Sequence, residues 1–232
     1  SWDGATTVRL TASDESETSP RWSPDGKTLA FLSGRQGSKG AQVWLLNRAG
    51  GEAERVTQFK GGVSAVAWSP DGGRLALVVS DTEPTVDSTK ARPIVVDRYA
   101  FKRDGKGFLG KEQAHLYVFD VATRKSEQVT TGDADDSSPA WSPDGKRLAF
   151  TSARETDAER YNNTDVYVVE ARAGVAPRRL TSFQGPDQNP TWSADGTFGP
   201  YVQGGEPTYF GYGAGLGTVA LPSLSKLVLD ND

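Results

Sequence analysis

Acid–base or metal chemistry would have to start from His115, the single histidine, in "QAHLYVFD". One imidazole cannot build a His-rich metal site, and its place at the start of a β-like run predicts a satisfied strand residue. A serine triad would need it beside a nucleophile on a strained elbow. The nearest approach to G-x-S-x-G is "GVSAV", Gly62 to Val66, which ends in Val. "DGKT", Asp25 to Thr28, has the ending of a phosphate-binding loop, but Arg21 stands where that motif needs its earlier Gly. "DADD", Asp133 to Asp136, is expected to be a solvated acidic loop. "NNT", Asn162 to Thr164, is a glycosylation sequon with meaning only in a secreted eukaryotic protein. Asp25, Asp71, Asp144 and Asp195 recur in S-[PA]-D-G, but no second carboxylate accompanies each at a calcium-ligating spacing. The sequence predicts no catalytic residue, no metal site and no cofactor.

Composition removes further classes. The 26 basic and 30 acidic residues leave a net charge of −4 with no long basic run, so the footprint of nucleic-acid binding is missing. No apolar stretch reaches membrane-spanning length, so no membrane partner is expected. The first residues, "SWDGATTVRLT", have neither the charged leader nor the apolar core of a signal peptide. Absence of cysteine removes disulfides and thiolates and suits the cytoplasm or the periplasm equally. Methionine is absent as well, even at position 1, so the chain is expected to be part of a longer polypeptide or a processed product.

What the chain does contain is a repeated phrase. "WSPDGKTLAF" at Trp22 returns as "WSPDGGRLAL" at Trp68, "WSPDGKRLAF" at Trp141 and, worn, "WSADGTFGPY" at Trp192. The tryptophans are spaced 46 (22 to 68), 73 (68 to 141) and 51 (141 to 192). A period in the forties suits a four-stranded propeller blade. Pro, Asp and Gly in sequence are the ingredients of a type I turn with a Gly bulge, predicting a three-residue hairpin. The following "LAF" runs, the aromatic and β-branched runs "QVWLL", "HLYVFDV" and "DVYVVEA", and the endings "ERVT", "EQVT" and "RRLT" supply the remaining strands. The expected fold is all-β: a propeller of four-stranded antiparallel blades, about four of them visible, forming a partial ring. Residues 1–11 are expected to be the last strand of a preceding blade. Blades follow at about 17–58, 62–131 with an insert at 81–113, 136–183, and a degenerate one at 187–232. Each Trp is expected to be core between neighbouring blades, where burial contributes about 2–3 kcal/mol. The repeated phrase is thus architecture.

The second Trp spacing exceeds the first by 27 residues. The excess holds "RPIVVDRYAFKRDGKGFL", in which "PIVVDRYAF" alternates like a strand and "RDGKG" is a turn. Arg92, Arg98, Lys102, Arg103 and Lys106 cluster there with Tyr99, Phe101 and Phe108. Such an excursion either packs on its own blade or projects to meet a partner domain or an acidic peptide terminus. Arg98, Tyr99, Lys102 and Arg103 are the candidate substrate-binding residues. A second irregular stretch, "TFGPYVQGGEPTYFGYGAGLG", carries Tyr201, Tyr209, Phe210 and Tyr212 and is either a damaged blade or an aromatic channel rim.

The units "SPRWSPDGKTLAFLSGR" and "SPAWSPDGKRLAFTSAR" resemble the PD40 propeller repeats shared by TolB-like proteins and the prolyl oligopeptidase (S9) serine peptidases. The insert resembles the long-insert blade of bacterial S9 peptidases of the acylaminoacyl- or dipeptidyl-peptidase kind. That resemblance implies a propeller that caps a C-terminal α/β-hydrolase domain of the same polypeptide, gates the active site and contacts short peptide substrates. The hydrolase domain is not in this chain, so no triad residue carries over, and the paired-glutamate motif that holds a peptide's amino terminus is not evident. The alternative is a TolB-like interaction propeller without enzymatic activity.

Overall fold

A computed structural model of the chain describes residues 7, 9–35, 37, 40–82, 101–103, 107–108, 112–156, 158–161, 163–196, 198–204, 214–220 and 228–229. Four antiparallel four-stranded sheets follow one another along the chain. The first contains β1 (Glu17–Trp22), β2 (Thr28–Ser33), β3 (Gln42–Asn47) and β4 (Glu54–Arg55). The second contains β5 (Val63–Trp68), β6 (Arg74–Ser80), β9 (Ala114–Asp120) and β10 (Ser126–Gln128). It is interrupted by the separate hairpin β7 (Lys102–Arg103) and β8 (Gly107–Phe108). The third contains β11 (Asp136–Trp141), β12 (Arg147–Ser152), β13 (Asp165–Glu170) and β14 (Arg178–Arg179). The fourth contains β15 (Asp187–Gln188), β16 (Phe198–Gly204), β17 (Ala214–Ala220) and β18 (Val228–Leu229). One helical turn, α1 (Ala158–Tyr161), departs from the all-β pattern, and residues 7 and 9–11 form no strand.

Local chemistry builds each blade from its first hairpin. Ser23 Oγ donates to Asp25 Oδ1 at 2.6 Å and accepts the Thr28 N–H at 2.9 Å, while Asp25 Oδ1 accepts the Lys27 N–H at 3.0 Å. The same box recurs at Ser69 with Asp71 and at Ser142 with Asp144. Hydrogen bonds from the serine hydroxyl and then the backbone hold all three aspartates below the ordinary carboxylate range. Gly26, Gly72, Gly145 and Gly196 lie at φ 67°, 71°, 67° and 70°, the left-handed region that a side chain would strain. The loop is longer than the three residues expected: Ser23 N bonds Thr28 O, leaving Pro24 to Lys27 between them. The extra residue gives the Ser–Asp pair room to satisfy the loop's N–H groups from inside.

Blades stack through both faces of their middle strands, so apolar residues run continuously along them. Ala30, Leu32, Val43 and Leu45 of the first blade pack on Val63, Val66, Leu75, Leu77 and Val79 of the second. Ala76, Val78, Leu116 and Val118, from the opposite face of the second blade, pack on Trp141, Leu148, Phe150 and Tyr167 of the third. The repeated tryptophan closes each seam. Trp68 Nε1 donates to Arg21 O at 3.0 Å, Trp141 Nε1 to Ala67 O at 3.1 Å and Trp192 Nε1 to Ala140 O at 2.9 Å. Each acceptor is the residue just before the preceding blade's Trp. Arg74 and Arg147 cover the rings of Trp141 and Trp192 at 4.8 and 5.1 Å. The expectation of a core role fails for Trp22, which is 48% exposed against 8% for Trp141. Its indole has no described blade on that side to pack against.

Candidate functional site

The first strands of the first three blades, with residues 189–191 after β15, line a groove of about 450 Å³. Its lining is mixed: Ser19, Arg21, Ser64, Ser138, Asn189 and Thr191 alternate with apolar residues such as Ala65, Val66, Val78 and Pro139. Three of these residues occupy equivalent positions, each three before its blade's Trp, and all three are non-glycine residues with left-handed backbone: Ser19 at φ 53°, Ser138 at 50° and Asn189 at 53°. The register of β1 against β2 slips between Thr18 and Arg21, and that of β11 against β12 between Ser137 and Ala140. Bulges of this kind re-aim side chains and cluster near binding sites. Ser138 Oγ donates to Asn189 Oδ1 at 2.9 Å, linking two blades across the groove wall.

The antiparallel register places three sets of connections at one end of the molecule. Glu17, Ser33 and Gln42 lie side by side there, as do Asp136, Ser152 and Asp165. Both the insert, which joins β6 to β9, and the segment carrying α1 leave from this end. The insert's neck is closed by Asp81 N bonding Gln113 O at 2.7 Å. Of the candidate substrate-binding residues, Lys102 and Arg103 form β7, paired with Phe108 and Gly107, and Lys102 is exposed. Arg98 and Tyr99 lie outside the described residues. So do Tyr209, Phe210 and Tyr212 of the expected aromatic rim; Tyr201 is in β16.

A charged network at the same end was not foreseen from the sequence. Asp136, expected in a solvated loop, is buried where the second and third blades meet. Arg154 Nη2 contacts both of its carboxylate oxygens at 2.7 Å. Thr130 Oγ1 and Ser152 Oγ donate to it at 2.5 and 2.7 Å. The first blade also pairs an Arg with an acid, Arg35 with Glu17 Oε1. The signal was present: an acid and an Arg 18 residues apart in both copies, 17 to 35 and 136 to 154. His115 departs from the satisfied strand residue expected of it. It is buried with Nε2 3.5 Å from Asp81 Oδ2 and Nδ1 3.7 Å from Asp136 Oδ2, and among the described residues Nδ1 has no hydrogen-bond partner.

Where the third blade meets the fourth, two aspartates are buried. Arg179 binds Asp165 Oδ2 at 2.7 Å and Glu155 Oε2 at 3.1 Å, and the Tyr167 hydroxyl donates to Glu155 Oε1 at 3.1 Å. Burial raises the Asp165 carboxyl above its ordinary range, opposed by Arg179. Burial also pushes Asp187 up to about 6, opposed by the Thr181 hydroxyl, reinforced by Asp165 and eased by Arg179. Burial, with Glu155 beside it, raises the Tyr167 phenol. Among the described residues, no group of three His, Asp or Glu side chains could hold a metal ion.

Consecutive four-stranded antiparallel sheets stacked face to face beside a shared groove define a β-propeller. The family model described as the TolB beta propeller domain, PD40, matches residues 1–86 and 107–223, and the chain belongs to that family. The unmatched span, 87–106, lies within the insert. The chain is 36% identical over 169 residues to the uncharacterized peptidase YuxL of Bacillus subtilis, covering 70% of this chain and 26% of that protein. It is 25% identical over 218 residues to dipeptidyl-peptidase 5 of Porphyromonas endodontalis, covering 84% and 31%. The chain therefore spans less than a third of either relative. Its fold matches that of Pyrococcus horikoshii acylaminoacyl peptidase with a TM-score of 0.61 at 21% identity, over 86% of this chain and 30% of that one.

Proposed function

We propose that this chain is the propeller region of a serine peptidase of the prolyl oligopeptidase type. It limits entry to short peptides and contacts them beside a hydrolase domain on the same polypeptide. The observation that carries this reading is the likeness to two proteins named as peptidases, one of them over 84% of the chain. The groove adds physical support, since its volume falls in the range of small-ligand sites. Lys102, exposed on the β7–β8 hairpin, is a cation for a peptide's carboxylate end, with Arg103 next to it in the sequence.

The test is peptide hydrolysis by the longest natural polypeptide that carries this sequence. Short peptides are expected to be cleaved and folded proteins spared. Lys102→Glu with Arg103→Glu is expected to raise KM about tenfold and to leave kcat nearly unchanged, the pattern of lost ground-state binding. Absence of hydrolysis, together with stable capture of cell-envelope proteins, would refute this reading in favour of a TolB-like interaction propeller.

A further inference from the structure

The three blade seams form a controlled comparison. Counting back five residues from each Trp reaches Glu17, Val63, Asp136 and Asp187. The second and third of these seams use one design. The hydroxyl that closes the preceding blade, Thr130 or Thr181, accepts the N–H of Leu116 or Val166 at 2.8 or 2.9 Å. An aspartate then sits beside that hydroxyl at the start of the next blade.

The seams differ in what neutralises the aspartate. Asp136 is fully buried, but the Arg154 guanidinium lies over it and keeps 17% of its side chain exposed, so the cation is the outer member of the pair. Asp187 is just as buried, at 0%, and among the described residues neither carboxylate oxygen meets a hydrogen-bond partner in bonding geometry. Thr181 Oγ1 bonds Asp165 Oδ1 at 3.4 Å and only eases the Asp187 carboxyl beside it. Arg179 is committed to Asp165 and Glu155. Arg35 and Arg154 each stand two residues beyond the strand partner of their acid, Ser33 and Ser152. Asp187 is paired with Gln203, so the matching position is Gly205 in the sequence. The repeat that supplies an arginine twice has deleted it here and kept the acid. A buried carboxylate without a partner is costly enough that one without a use is expected to be lost.

We infer that the Asp187–Asp165 seam is a binding site for a guanidinium group brought from outside the repeat, seated where Arg154 sits in the neighbouring seam. A planar fork suits two carboxylate oxygens in a way a spherical ion does not, and no three-carboxylate metal set is present among the described residues. Glu155, bound to the same Arg179, is half-exposed and marks the solvent side of this cluster. The source is either an arginine of a bound peptide or one carried elsewhere on the same polypeptide, and both present the same chemistry. The inference does not depend on peptidase activity.

The test is thermal unfolding of the 232-residue chain at pH 7.5 with millimolar N-ethylguanidinium, against sodium chloride of equal ionic strength. A rise in Tm of about 2–4 °C beyond the salt control is expected. Asp187→Asn, which mimics the protonated acid and should fold, is expected to abolish the rise. Gly205→Arg, which restores the repeat's own cation, is expected to raise Tm without the probe and to remove the response to it. Titrating arginine-containing dipeptides against lysine-containing ones then tests a peptide source, and loss of the probe response in the longer natural polypeptide indicates an internal one. No probe-specific rise in the unmodified chain, or an equal rise in Asp187→Asn, overturns the inference.

Discussion

Replacing Trp141 tests whether the repeated indole holds the blades together. Its ring is 8% exposed, its Nε1 donates to Ala67 O at 3.1 Å, and Arg74 lies over it at 4.8 Å. Trp141→Ala removes all three contributions and opens a cavity at the seam, costing about 3–5 kcal/mol. Trp141→Phe keeps much of the apolar area but strands the Ala67 carbonyl and weakens the stacking of Arg74. The lost hydrogen bond contributes about 1 kcal/mol and the weakened cation–π contact somewhat less, so the cost is about 2 kcal/mol. Trp22 carries the same residue in the same phrase, yet it is 48% exposed, and its replacement by Ala should cost about 1 kcal/mol or less. Urea unfolding of this chain followed by far-UV circular dichroism measures all three variants. At about 2–4 °C per kcal/mol, Trp141→Ala should lower Tm by about 10 °C. If Trp22→Ala proves as damaging as Trp141→Ala, the phrase stabilises its own hairpin rather than the seam, and the argument fails.

Other perturbations read other parts of the molecule. Asp187 titrates at about 6 in the fold against an ordinary 3.8, so the folded chain holds an extra proton between those values. Its contribution to stability is therefore present below about pH 4 and lost as pH rises through 6. The full shift corresponds to about 3 kcal/mol, reduced by screening to about 1–2 kcal/mol, and Asp187→Asn should flatten that slope in unfolding measured from pH 4 to 7. Arg154→Ala strips the buried Asp136 of its cation and should cost about 3–5 kcal/mol, whereas Arg154→Ala with Asp136→Asn should recover part of the loss in the same assay. Ser142→Ala removes the hydroxyl that bonds Asp144 Oδ1 and the Arg147 N–H; a loss of about 1 kcal/mol is expected, with the Asp144 carboxyl moving up toward its ordinary range in an NMR titration.

The blade is legible in the sequence because its determinants are local. Ser, Asp and Gly within five residues of Trp22, Trp68 or Trp141 satisfy the hairpin's own N–H groups, and the strands that follow are neighbours in chain order. Continuous apolar runs such as Leu29 to Leu32 also announce burial on both faces, which only stacked sheets provide. The groove was not legible. The left-handed Ser19, Ser138 and Asn189 have no compositional mark beyond a shared offset from Trp, and they converge only when inner strands of different blades meet.

The same boundary divides the individual residues. By itself the sequence determined that the protein would be a stack of four-stranded blades, since hairpin closure and strand alternation act over a few residues. Only the tertiary structure decided which copy of a repeated residue is buried and what it touches. Trp141 reaches Ala67 across 74 residues while Trp22 stays exposed, and Asp136 gains an arginine that Asp187 lacks. Identical local phrases acquire different energies because each depends on the neighbouring blade, and that neighbour is set by packing between segments far apart in the chain.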